Sequence, residues 1–199
     1  MTNYFMQTQN SITGVVLSGG ESSRMGEDKS IMLIGEQAMI KYSLEALKPF
    51  CKEVFISTNK EGHKSFQYPT ISDEYKKIGP IAGIHSALKN ANTDFVMILP
   101  CDSPMVKKEF VKFLILQIKQ NTKAIVPKYD NNLEPLFAIY HQSILPIVEL
   151  QIKSKDYKLV NLLSKVDVET IEVKDRSCFV NINTPEDYKE IVKTDINQK

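Results

Sequence analysis

The chain has 199 residues, 42% of them hydrophobic, and its 25 Lys and Arg residues nearly balance its 24 Asp and Glu residues. This size and composition predict a single domain over residues 1–199, with a core at about 12–192 and polar ends. A net charge of +1 lacks the basic excess that partners of nucleic-acid polymers carry. The longest apolar runs fall short of the roughly 18 residues that span a bilayer. We therefore expect neither a nucleic-acid-binding protein nor a membrane protein.

The amino-terminal segment and the cysteines bear on location and redox chemistry. The first eleven residues lack the basic start and apolar centre of a secretory signal, so the sequence predicts a cytoplasmic protein. The three cysteines are odd in number and widely spaced, which favours free buried thiols over a disulfide framework or a structural zinc site. The three histidines are equally scattered, and none is indicated as a catalytic base. These residues are Cys51, Cys101 and Cys178, and His63, His85 and His141.

The first predicted element is a strand over residues 12–17, whose nearly continuous apolar residues are typical of a strand covered on both faces. It is followed by a run of small, charged and glycine residues, "SGGESSRMGEDKS", from Ser18 to Ser30. Glycines allow the main chain to approach an anion closely, and Arg24 and Lys29 supply positive charge. The run therefore predicts a phosphate-binding loop. The alternative is a surface turn with solvated charges.

This loop matches neither of the two best-known phosphate-binding motifs. A Walker loop places its lysine directly after the second glycine, whereas two acidic residues separate Gly26 from Lys29. The dinucleotide fingerprint requires G-x-G-x-x-G, which the adjacent Gly19 and Gly20 do not supply. If the loop binds a nucleotide, it does so in another way.

Strand and helix patterns then alternate along the chain to about residue 127. A short extended piece turns at Gly35, and apolar residues at helical spacing predict helices over 39–47, 81–90 and 107–120. Such alternation predicts an α/β fold of three layers, α/β/α, with a mostly parallel central sheet. The predicted extended segments after the first are 53–58, 68–73, 94–102, 123–127 and 135–140.

Polar groups follow three of these strands, at the edge where open α/β sheets bind ligands. They are the glycine-rich loop, Asp73 and Asp102. Loop amides, Arg24 and Lys29 would hold phosphates, and the Asp102 carboxylate is a hard oxygen ligand of the kind that Mg²⁺ prefers. Together they predict nucleotidyl transfer, in which an oxyanion attacks the α-phosphate of a nucleoside triphosphate and pyrophosphate leaves. Each aspartate alone would equally suit a turn or a helix cap.

Five segments carry a more specific pattern. "VVLSGGESSRMGEDKS" is similar to the signature L-[AS]-G-G-x-S-x-R-M-G-x-D-K, and "GPIAGIHSAL", "LPCDSPM", "EPLFAIY" and "VNINTPEDY" follow it in order. Over about residues 12–188 the chain thus resembles the NTP-transferase-like family, and within it the guanylyltransferases of molybdenum cofactor biosynthesis. The resemblance implies a Rossmann-like nucleotidyltransferase fold and transfer of GMP from GTP to the terminal phosphate of molybdopterin, with Mg²⁺ as cofactor.

The resemblance also implies roles by position. The backbone after the first strand would cradle the nucleotide, and Asp73 would take part in GTP recognition. Lys29 would contact the phosphates, Asp102 would bind Mg²⁺, and Arg24 would join these two as a catalytic residue. The implied GTP-binding residues are Leu17, Ser18, Gly19, Gly20, Lys29, Asp73 and Asp102.

For the second substrate, molybdopterin or its molybdenum-loaded form, the resemblance indicates Asn181 and Asn183 as residues that hold phosphates or the pterin. The alternative is that these asparagines close a turn before a helix at Pro185. Transient partners implied by the resemblance are other proteins of molybdenum cofactor biosynthesis or molybdoenzyme chaperones.

Two positions depart from the family pattern. Ser18 stands where alanine is commoner, and we expect this change to be harmless if the backbone does the binding. Ser57 stands where an asparagine often touches the nucleotide, and Asn59 is the candidate substitute.

Two other functions stay open at this stage. One is a related cytidylyltransferase acting on molybdopterin or on a sugar or polyol phosphate, against which "LPCDSPM" and "NINTP" favour the molybdopterin branch. The other is a non-catalytic nucleotide-binding regulator, which would not need Arg24, Lys29 and Asp102 together.

Overall fold

A computed structural model describes residues 11–19 and 28–196. Within these ranges the strands are β1 (Ile12–Leu17), β2 (Leu33–Ile34), β3 (Gln37–Ala38), β4 (Glu53–Ser57), β5 (Thr70–Ile71), β6 (Phe95–Pro100), β7 (Ala124–Tyr129), β8 (Asn132–Leu133), β9 (Ile139–His141) and β10 (Val168–Glu172). The α-helices are α1 (Met39–Leu47), α2 (Pro80–Asn90), α3 (Lys108–Ile115), α4 (Leu145–Lys153), α5 (Leu159–Leu163) and α6 (Pro185–Ile196).

A single mixed sheet joins every described strand except the small β2–β3 hairpin, in the order β10-β7-β9-β6-β1-β4-β5, with β8 paired to β7. β1 pairs in parallel with β4 on one side and with β6 on the other. β9 runs antiparallel to both β6 and β7. The chain moves outward from β1 through β4 to β5 and then crosses back to β6. This reversal of strand order beside β1 is where open α/β sheets form a binding crevice at the carboxyl ends of the strands.

Helices cover both faces of the sheet because successive side chains of its strands point to opposite faces. Val16 of β1 belongs to the core formed with α1 and α3, whereas its neighbour Val15 belongs to the core formed with α2, α4 and α5. Both valines are fully buried. The predicted three-layer α/β/α fold with a mostly parallel sheet is confirmed. Every helix of the described ranges is too short or too polar to cross a membrane.

Three predicted elements have different bounds in the structure. The helix predicted over 107–120 stops at Ile115, after which Gln117 N and Ile118 N donate to carbonyls only three residues back, at 3.0 and 3.1 Å. Ile118 is nonetheless buried, so its apolar spacing outlasts the helix. The strand predicted over 135–140 begins at Ile139, because Pro135 opens a turn in which Phe137 N donates to Glu134 O at 3.1 Å. The strand predicted over 68–73 is confined to β5. The predicted turn at Gly35 is confirmed, with φ 60°.

Gly14, in the middle of β1, allows α1 to pack closely on the sheet. A Cβ atom at this position would lie 3.0 Å from Cys51 Sγ and 3.2 Å from Leu47 Cβ, both in the core. We expect Gly14→Ala to overpack this contact and to lower the free energy of unfolding by about 1–3 kcal/mol. Thermal unfolding followed by circular dichroism measures the effect. Gly62→Ala, whose Cβ would meet nothing within 4 Å, is the matched control. Equal melting temperatures for the two variants would contradict the close contact.

Candidate active site

The candidate site lies where β1, β4, β5 and β6 deliver their carboxyl ends. Because these strands are parallel, the residues that follow them meet at one edge of the sheet. Ser18 N donates to Ser57 O at 2.8 Å, and Cys101 N donates to Leu17 O at 3.1 Å. The segment after β1 is therefore held between the segments that follow β4 and β6.

On the β5 side of this edge, Asp73 is a half-buried carboxylate with fixed orientation. Ser57 Oγ donates to Asp73 Oδ1 at 2.7 Å, and Asp73 N donates to Asn59 Oδ1 at 3.1 Å. Asp73 Oδ2 faces Gly19, where an added Cβ would approach it to 3.4 Å. Burial raises the pKa of Asp73, and the Ser57 hydrogen bond and the charge of His85 oppose this effect. The result is an oriented hydrogen-bond acceptor beside the backbone that follows β1.

On the β6 side, Asp102 follows the strand directly and is also half-buried. Burial raises the pKa of the Asp102 carboxyl, and the positive charge of Lys29 is the main opposing influence. Its carbonyl oxygen accepts from Ile182 N at 2.9 Å, which fixes the carboxy-terminal segment against this edge. Across the residues that the structure describes, no three His, Cys, Asp or Glu side chains form a metal cage. Asp102 thus offers a single carboxylate.

The segment that precedes α6 contacts both Lys29 and the residue next to Asp102. Lys29 Nζ donates to Asn183 Oδ1 at 3.0 Å, and Ser103 Oγ donates to Asn181 Oδ1. The two asparagine side chains therefore connect this segment to two different parts of the site.

A capping box closes the turn before α6. The backbone N–H groups of Asn183 and Thr184 each donate to Asp187 Oδ2 at 2.8 Å, and Asp187 N donates back to Thr184 Oγ1 at 3.2 Å. Asp187 and Thr184 close the turn, whereas the Asn181 and Asn183 side chains bond elsewhere. The alternative reading of these asparagines as turn formers is wrong.

All the predicted site residues within the described ranges lie at this edge. Gly20 and Arg24 lie outside the described residues. Ser57 and Asn59, the two candidates for one nucleotide contact, both bond to Asp73. The predicted residues brought together are Leu17, Ser18, Gly19, Lys29, Asp73, Asp102, Asn181 and Asn183.

Sequence reasoning missed His63, which is fully buried beside the segment after β1. Its Nε2 lies 2.7 Å from Ser18 Oγ and 2.8 Å from Ser30 Oγ. No spacing or motif around His63 could have indicated these partners. The one available signal was the hydroxyl of Ser18 at a buried strand end, since a buried polar group requires a hydrogen-bond partner.

The cysteines offer no nucleophile to this site. Cys51, Cys101 and Cys178 are free, as predicted, although Cys101 is only partly buried. Burial raises the pKa of the Cys101 thiol, which lies next to Asp102 in the chain, to about 12. At neutral pH this thiol is protonated, and a protonated thiol is a poor nucleophile.

Comparison with known proteins agrees with this architecture. A family model described as the MobA-like NTP transferase domain matches residues 14–169. The molybdenum cofactor guanylyltransferase of Vibrio campbellii is 32% identical over 178 residues, which cover 87% of this chain and 91% of that protein. The probable molybdenum cofactor guanylyltransferase of Clostridium perfringens is 32% identical over 191 residues, with 91% and 96% covered.

A solved structure supports the same assignment. The molybdopterin-guanine dinucleotide biosynthesis protein A of Archaeoglobus fulgidus superposes with a TM-score of 0.80 at 28% identity, covering 94% of this chain and 100% of that one. The family model, the relatives and this structure all match across most of the chain. The chain therefore belongs to the family of MobA-like NTP transferase domains.

Proposed function

We propose that this protein is a molybdenum cofactor guanylyltransferase, which transfers GMP from GTP to the terminal phosphate of molybdopterin and releases pyrophosphate. One observation carries the proposal. The carboxy-terminal segment holds a cation, Lys29, and lies against a half-buried carboxylate, Asp102, at the switch in strand order. A cation and a carboxylate at this place suit the triphosphate of a nucleotide and its metal ion. The names of the relatives supply the substrates.

The guanine base is assigned to the Asp73 side of the site. Guanine presents N–H donors at N1 and N2, and a carboxylate is their natural acceptor. Ser57 and Asn59 hold Asp73 in one orientation, so the acceptor is preorganised before the base arrives. The backbone of Leu17, Ser18 and Gly19 lies next to it and would hold the nucleoside.

The triphosphate is assigned to Lys29 and, from the sequence, to Gly20 and Arg24. Asn183 Oδ1 accepts from Lys29 Nζ, so the ammonium group is oriented but keeps two further N–H donors for phosphate oxygens. These positive charges would offset the negative charge that develops on the phosphate oxygens during transfer.

The donor set fits Mg²⁺, which is commonly bound by one or two carboxylates, phosphate oxygens and several waters. Asp102 is the residue that would hold it, because its carboxylate is half-buried at the phosphate side and next to Lys29. When bound, the ion would supply charge neutralisation at the transferred phosphate.

Molybdopterin is assigned to Asn181 and Asn183. Because the Asn183 oxygen binds Lys29, its amide N–H groups are oriented to donate to a ligand such as the terminal phosphate. Asn181 is held in a similar way by Ser103. The second substrate would then meet the α-phosphate of GTP beside Lys29.

We expect GTP to be the preferred donor over CTP. The bound base would cover the Asp73 carboxylate, and an acceptor that is covered without its donor costs about 1–3 kcal/mol, which corresponds to roughly 5- to 150-fold in kcat/KM. The measurement is pyrophosphate release by the purified protein with Mg²⁺, molybdopterin and each of the four nucleoside triphosphates in turn. CTP turnover equal to or faster than GTP turnover would contradict the guanylyl assignment. GTP binding without pyrophosphate release from any nucleotide would instead support a non-catalytic regulator.

A further inference from the structure

A buried polar cluster centred on His63 lies next to the candidate site, where it contacts Ser18 and Ser30. This ring belongs to the short helical segment Glu61–Phe66, which follows β4. Its Nε2 lies 2.7 Å from Ser18 Oγ and 2.8 Å from Ser30 Oγ. Ser18 and Ser30 are 3% and 0% exposed, so neither hydroxyl exchanges its bond readily with water. One ring nitrogen therefore connects the residue after β1 with the residue after Lys29.

Asp28 is the acidic member of this cluster. Ser30 Oγ donates to Asp28 Oδ1 at 2.8 Å, so the carboxylate is bonded to a serine that also contacts His63. Nε2 faces both serine hydroxyls, while Nδ1 faces Thr58 Oγ1 at 3.4 Å. Burial lowers the pKa of His63, and the nearby charge of Asp28 opposes this effect.

Asp28 further attaches the segment that contains Lys29 to the residues after β4. Its Oδ1 also accepts from Ser30 N at 3.2 Å and forms an ion pair with Lys60 Nζ at 3.1 Å. Residues 28–30 are thus bonded to the segment after β4 through both Lys60 and His63. The backbone of Lys29 sits between two anchored neighbours.

We infer that His63 is a positioning residue for nucleotide binding: it fixes the backbone of Ser18 relative to Lys29. The inference rests on the proposed function, in which these two residues contact the nucleoside and the phosphates of one GTP molecule. The Ser18 hydroxyl makes this connection, so serine at this position has a role of its own. This differs from the expectation that serine is harmless here if the backbone does the binding, because the inference gives the Ser18 side chain a role.

The test compares His63→Leu with His63→Gln. Leucine fills the buried space but cannot hydrogen-bond to the serines, whereas the glutamine amide can do so at a position close to that of Nε2. We expect His63→Leu to raise the Kd and KM for GTP about tenfold with a smaller effect on kcat, and His63→Gln to recover most of the loss. His141→Leu is the matched control. His141 pairs with Phe95 at the start of β6, so it lies at the end of the strands that is opposite the site. This variant should leave the GTP Kd unchanged.

Repeating the substitution in a Lys29→Ala protein distinguishes a positioning role from a purely structural one. In a Lys29→Ala protein there is no ammonium group to position, so adding His63→Leu should weaken GTP binding by no more than about threefold. If His63→Leu costs the same tenfold in both backgrounds, the residue is structural and the inference is wrong. Should His63→Leu fail to fold, Ser18→Ala tests the same bond and should weaken GTP binding about threefold.

The two proposals fail in different ways. A wild-type protein that does not bind GTP overturns the proposed function. A wild-type protein that binds GTP, with a folded His63→Leu or Ser18→Ala variant that binds it equally well, overturns only the role of His63.

Discussion

Asp102→Asn is expected to slow guanylyl transfer by about 100-fold or more while leaving the chain folded. Asparagine preserves shape but removes the charge that would hold Mg²⁺ at the phosphates, and such electrostatic groups commonly account for losses of this size. The measurement is Mg²⁺-dependent pyrophosphate release, with folding checked by circular dichroism. Asp94→Asn is a suitable control because Asp94 precedes β6, at the opposite end of the same strand.

The same substitution should make the protein without ligands more stable. Burial raises the pKa of Asp102, so the folded state holds this proton more tightly than the unfolded chain does. The ionised carboxylate therefore destabilises the fold increasingly as the pH rises through its folded pKa, and the effect disappears below the unfolded pKa. At neutral pH the Asp102→Asn protein should melt at a higher temperature than wild type, and the difference should shrink in acid. In the activity measurement, near wild-type transfer by the Asp102→Asn protein at low Mg²⁺ would show that the metal is held elsewhere.

Lys29→Ala should weaken GTP binding by about 10- to 100-fold and slow transfer, because the lysine supplies charge-assisted bonds to phosphate. The free energy of unfolding should change by less than about 0.5 kcal/mol, since the Lys29 side chain donates to Asn183 in an exposed position. Calorimetric titration with GTP and a thermal melt measure the two effects.

Lys119→Ala provides the control. It removes a cation from an exposed ion pair with Glu169 of β10, which is the edge strand farthest from β5. It should bind GTP as wild type does. If Lys29→Ala unfolds but keeps full activity per folded molecule, Lys29 is structural and the phosphate role is wrong.

The parts of the fold that follow local rules could be predicted from the sequence. β1 and β6 are nearly continuous apolar segments because both of their faces are covered. Asp102 could be placed at the site because it follows such a strand. The end of α3 could not be predicted, because apolar spacing continued past the last helical hydrogen bond to the buried Ile118.

The candidate site shows the same division. Asn183 was found through the family resemblance, and its bond to Lys29 joins residues 154 positions apart. His63 is bonded to serines 45 and 33 positions away, and no local pattern indicates such partners. The roles of Gly20 and Arg24 remain predictions of the sequence.

The most direct test of the central claim follows the α-phosphate of GTP. GTP labelled at that phosphate is incubated with the protein, Mg²⁺ and molybdopterin, and both the pterin and the pyrophosphate are recovered. We predict that label enters the pterin with one pyrophosphate released per labelled product, and that both cease when molybdopterin is omitted. Labelled GDP with inorganic phosphate, or pyrophosphate without labelled pterin, would contradict guanylyl transfer to molybdopterin.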